Sequence, residues 1–132
     1  MKYLVSELEG ALLDAAVANS EGLRFAISRT MPDKPGPYRC RILSSAEVFA
    51  PSSDWAHGGP IIEREKIALQ FYGSHWGAMP HDTAGCEVPD LDDRKHAEMS
   101  NGWCPVMAVG NTALVAAMRA LVRMRLGDEV EL

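Results

Sequence analysis

Apolar positions along the chain form two helical patterns near the ends and several short strand-like runs between them. In the first pattern Leu8, Leu12, Ala15, Ala16 and Asn19 recur at helical spacing, and Leu13 and Val17 broaden the apolar face. Ser6 and Glu9 stand three apart, the spacing of a capping box in which each side chain satisfies an orphan donor. Gly22 can take the left-handed conformation that ends a helix. In the second pattern Val115, Met118, Val122 and Leu126 make an apolar stripe that Leu114 and Leu121 widen. Asn111 or Thr112 is placed to cap that helix and Gly127 to stop it.

Between these patterns the signals change to strands. Ile67–Tyr72 and Trp76–Met79 read as a hairpin turning near Gly73, Ser74 and His75. Arg39–Phe49 is strand-like in part, Val106–Val109 predicts a strand leading into the last helix, and Tyr3–Val5 suggests an edge strand. Two stretches predict mobile loops, near 30–38 and 81–102. The first holds Pro32, Pro35 and Pro37, which remove backbone donors. The second is long for a loop, so a helical turn is expected around Asp92–Met99.

The length of 132 residues fits one domain spanning 1–132. The apolar fraction of 47% and charged fraction of 23% are those of an ordinary globular chain. A net charge of −5 argues against broad binding to a phosphate backbone, though a local basic surface stays open. Glu7, Glu9 and Asp14 interrupt what would be the apolar core of a secretion signal, and nothing approaches the length of a membrane span. Cys40, Cys86 and Cys104 form no close pair, the pattern of reduced thiols, so a cytoplasmic setting is expected.

Candidate chemistry concentrates in Ser52–Glu65, SSDWAHGGPIIERE. Gly58-Gly59-Pro60 looks like a helix start, which would leave the N–H groups of Ile61, Ile62 and Glu63 free for a small anion. Trp55 is expected to bury and anchor the loop, with one of Ile61 or Ile62 beneath it. Asp54 and His57, three apart, have the makings of a carboxylate–imidazole pair, but no nucleophile motif accompanies them, so no catalytic residue is assigned. His75, His81, Cys86, His96 and Cys104 lack the close ligand pairs of a zinc site. No nucleotide fingerprint occurs, and neither a cofactor nor a metal is expected. Arg119 and Arg123, one turn apart with Arg125 nearby, predict a basic stripe that an acidic partner would relieve.

Three blocks together carry a family likeness. They are Ser6–Ala11 with Leu13–Ala18 and Glu21–Leu23; then Phe49–Ala56 with Gly58–Glu63; then Ala113–Arg119 with Leu126–Val130. In this order they resemble the NinX-like proteins of tailed phages and prophages. The resemblance implies a phage or prophage source and the cytoplasm of a bacterial host. It implies no defined activity and no catalytic residues to carry over.

The expected fold is α+β, a small, mostly antiparallel sheet packed by an N-terminal and a C-terminal helix. The expected function is that of a phage accessory protein acting by protein binding or as a homodimer. The alternative is a small-molecule or anion-binding site, or an enzyme centre, at Asp54, Trp55, His57, Gly58, Gly59 and Pro60. Nucleic-acid binding through Arg119 and Arg123 ranks third, because the chain as a whole is acidic.

Overall fold

The computed structural model describes residues 1–31, 34–79 and 108–132. The segment expected to loop between 81 and 102, with its helical turn, lies outside them. The described chain is α+β, as its patterning predicts. Its strands form three small antiparallel sheets rather than one. The outermost pairs β1 (Lys2–Leu4) with β7 (Glu129–Glu131), which joins the two ends of the chain. A hairpin of β2 (Phe25–Met31) and β3 (Lys34–Ile42) makes the second. The third runs in the order β4 (Ala68–Phe71), β5 (Trp76–Met79), β6 (Ala108–Gly110).

The hairpin runs through much of the stretch in which three prolines predicted a loop. Pro35 and Pro37 fall within β3, which among the described residues pairs with β2 alone as a strand. An edge position of this kind tolerates a missing backbone donor.

Helix α1 (Gly10–Ser20) starts later than the capping-box spacing predicts. Residues Val5–Glu7 form a separate 3-10 turn, and Glu9, at the cap position of α1, gives no side-chain hydrogen bond. Gly10 sits at φ +59°, so the chain turns there through a conformation that costs most other residues energy. At the other end, the N–H of Leu23 donates to the Ala18 carbonyl and that of Gly22 to the Asn19 carbonyl, at 2.9 and 3.1 Å. With Gly22 at φ +72°, this is the glycine-terminated helix end that the sequence predicts.

Helix α2 (Trp55–Glu65) follows, and α3 (Ala113–Leu126) forms the centre of the molecule. The Thr112 hydroxyl accepts from Val115 N–H at 3.1 Å, and Gly127 closes α3 at φ +94°. Met118, Leu121 and Val122 are fully buried. Leu126, expected to continue the stripe inward, is 38% exposed in the last turn. Instead, Ala116, Ala117 and Ala120 bury a second side of α3. Their small side chains let it pack close to α1 on one side and to β5 and β6 on another. Leu13 and Val17 of α1, Ile61 of α2 and Ala78 of β5 meet α3 in one apolar core. Ala15 and Ala18, from another side of α1, pack on Cys40 of the β2–β3 hairpin.

Candidate functional site

Helix α2 opens three residues before the Gly-Gly-Pro that looked like its start. Asp54 is the cap: its side chain accepts from Ala56 N–H at 2.9 Å, and its carbonyl accepts from the N–H groups of His57 and Gly58. The N–H groups of Ile61, Ile62 and Glu63 therefore belong to the interior of the helix and do not face an anion. Pro60 is also inside it. Gly58 is there for a different reason from the one its sequence context suggested. A Cβ at that position would collide with the Pro51 carbonyl oxygen and come within 2.6 Å of Leu114 Cδ2. This is a close helix approach rather than a turn.

Trp55 is not an anchor. As the first helical residue it is 56% exposed, and it lies beside Gly59, whose absent Cβ would stand 3.9 Å from the indole. Burial falls to Ile61, with Ile62 partly covered.

His57 and Asp54 do not pair. The His57 ring stacks on Phe49, centroids 5.9 Å apart, and its Nδ1 accepts from Ala50 N–H at 3.0 Å. That bond requires an unprotonated Nδ1, so the neutral ring carries its proton on Nε2. Its task is to hold the 50–53 segment in place.

The residue that sequence reasoning missed is Asp14. It is 4% exposed, and its Oδ1 accepts from Ser52 N–H at 2.8 Å, tying α1 to the same segment. Burial pushes its pKa above the usual carboxylate value. The opposing influences are the Ser52 hydroxyl and N–H and, through space, Arg39. An acid flanked by Leu13 and Ala15 on an alanine-rich helix is the one signal that could have marked it.

Asp14 and His57 thus brace one wall of a cavity of about 590 Å³. Ser52, Ser53 and Trp55 line that wall. Glu9 and Gly10 contribute the start of α1, and Thr112 and Ala113 the start of α3. Three helix N-termini therefore border one cavity, each with the partial positive charge of its helix; Asp54 and Thr112 already accept from first-turn N–H groups of α2 and α3, whereas α1 has no side-chain cap.

The arginine stripe is engaged inside the chain. Arg119 donates through Nε to the Leu8 carbonyl at 2.8 Å and through a terminal nitrogen to the Val109 carbonyl at 2.9 Å. Burial lowers its pKa, and Glu9 partly opposes that. Arg123 is paired with Asp128 at 2.8 Å. Arg125 bonds Glu65 and Glu21, which also bond Arg64.

Among the described residues no group of three or more His, Cys, Asp or Glu is placed to hold a metal ion. His75 lies in the β4–β5 turn against Tyr72, while His81, Cys86, His96 and Cys104 lie outside the described residues. No described helix is long and apolar enough to cross a membrane.

No curated protein matches the chain. Its residues 4–125 match the family model described as Bacteriophage P22, NinX, and the chain belongs to that family.

Proposed function

We propose that this phage protein acts by binding, and that its ligand is a small molecule with one carboxylate on a planar apolar body, seated in the cavity beside Trp55. The observation that carries this reading is the meeting of three helix starts at a single cavity with an exposed indole at its wall. The cavity falls within the usual 300–1,000 Å³ of ligand pockets. Helix N-termini favour negative charge, and α1, lacking a side-chain cap, leaves first-turn N–H groups for a ligand or water. Glu9 at the border disfavours a polyphosphate, so one carboxylate fits better. The exposed indole offers an apolar ring a stacking surface.

An interface built on Arg119 and Arg123 has less support, since both guanidinium groups already have partners within the chain. The test is calorimetry with indole-3-acetate and benzoate, using benzamide as the neutral control. Both carboxylates should bind, benzamide should not, and Trp55→Ala should weaken binding at least tenfold. Equal binding of benzamide, or no heat from either acid at millimolar concentration, would overturn the proposal.

A further inference from the structure

The chain's charge is unevenly distributed. Residues 24–41 hold five basic side chains and one acid, whereas the rest holds eight basic and seventeen acidic. This stretch is the β2–β3 hairpin, and its pairing register sorts the residues onto two faces. Phe25 pairs with Ile42 and Ile27 with Cys40. Residues directly opposed across an antiparallel pair share a face, and this apolar one packs on Ala15 and Ala18 of α1 through Phe25, Cys40 and Ile42. Ala26 pairs with Arg41 and Ser28 with Arg39, and the Leu43 N–H donates to the Arg24 carbonyl one step further along. The face turned away from α1 therefore carries Arg24, Arg39 and Arg41 beside the small side chains of Ala26 and Ser28.

These arginines differ from those on the helices. Arg64, Arg123 and Arg125 are matched with carboxylates. Among the described residues Arg24 and Arg39 make no ion pair, and the bond of Arg41 goes to the neutral Ala46 carbonyl at 2.8 Å. Arg39 also acts on Asp14 through space, but among the described residues none of the three is tied up in an ion pair, so their charge can meet an external anion.

We propose that the outer face of the β2–β3 hairpin binds the backbone of duplex DNA, with the ribbon lying in the major groove. Shape selects that partner. A two-stranded ribbon fits the major groove of B-form DNA, about 12 Å wide, but not the narrow major groove of A-form RNA. Strands of 7 and 9 residues are long enough to follow the groove for roughly 20–30 Å. Small side chains at 26 and 28 let the ribbon approach closely while the arginines reach phosphates. Seventeen of the eighteen acids lie outside residues 24–41, and at physiological salt the repulsion between exposed charges fades beyond about 8 Å.

The experiment is fluorescence anisotropy of a labelled 24-base-pair duplex of mixed sequence with the full chain. Binding should be present at about 50 mM salt. It should weaken about forty-fold by about 200 mM, as expected for three neutralised phosphates. Arg24→Glu, at an exposed site whose side chain bonds nothing among the described residues, should weaken binding at least tenfold with an unchanged melting temperature. Arg24→Gln/Arg41→Gln should weaken binding at least tenfold as well. Lys66→Glu, an equal charge change at the residue that follows α2, should have little effect. Four outcomes would each overturn the proposal: no binding at low salt, equal losses from Lys66→Glu and Arg24→Glu, tighter binding of duplex RNA or a single strand, or low-salt self-association in place of DNA binding.

Discussion

Asp14 shows how one side chain links folding to the candidate site. Its carboxylate fixes Ser52 from inside the protein, and burial raises its pKa above the usual 3.8. The folded chain thus holds this proton to higher pH than the unfolded chain does. The stability associated with Asp14 is fully present below about pH 3.8 and is lost as pH rises through the raised folded value. Asp14→Asn, which keeps an acceptor for Ser52 without the charge, should flatten that limb in melting curves taken from roughly pH 3.5 to 7. Asp14→Ala should instead cost about 1–3 kcal/mol, because it leaves a buried N–H unpaired. Cys40 is shaped by the same surroundings: burial, then the nearby Asp14 charge, push its thiol up to about 11. In a Cys86→Ser/Cys104→Ser background at about pH 8, a thiol reagent should label Cys40 only as fast as the protein unfolds.

At the scale of elements, local signals were legible where local chemistry decides. Gly22 and Gly127 end their helices, Thr112 caps α3, and the β4–β5 hairpin turns at Gly73–His75. The failures came where a distant contact overrides the local pattern. Gly58-Gly59-Pro60 reads as a helix start, and only the packing of α2 against Pro51 and Leu114 shows that Gly58 serves a helix already under way. Trp55 was expected to bury because indoles usually do, yet the Asp54 cap places it on the outward first turn. Gly58→Ala should therefore destabilise the protein by about 1–3 kcal/mol through overpacking, despite the better helix propensity of alanine. Gly59→Ala, whose Cβ would meet only the indole at 3.9 Å, should be neutral or slightly stabilising. Denaturant melts of the two variants check the pair, and a reversed order would mean that α2 packs differently.

For the molecule as a whole, the organising fact is that three helices share a direction. Their starts border the cavity, while their last turns meet in a cluster of Glu21, Arg64, Glu65 and Arg125. Neither assembly was legible in sequence, because each joins residues from three separate segments. Arg125 is the keystone of the cluster: it reaches Glu21 and Glu65 and also donates to the Ser20 carbonyl at the end of α1. It is 27% exposed, so solvent screens part of its attraction. Arg125→Met keeps most of the apolar stem and removes the charge, leaving two carboxylates with only Arg64 between them. The expected loss is about 1 kcal/mol at low salt, shrinking as salt rises. Because the cavity lies at the opposite helix ends, the affinity for indole-3-acetate should stay within about twofold of the parent. Melting curves and calorimetry on this variant separate the two ends. A large loss of affinity at unchanged stability would show that the helix ends are coupled and that the cavity depends on this cluster.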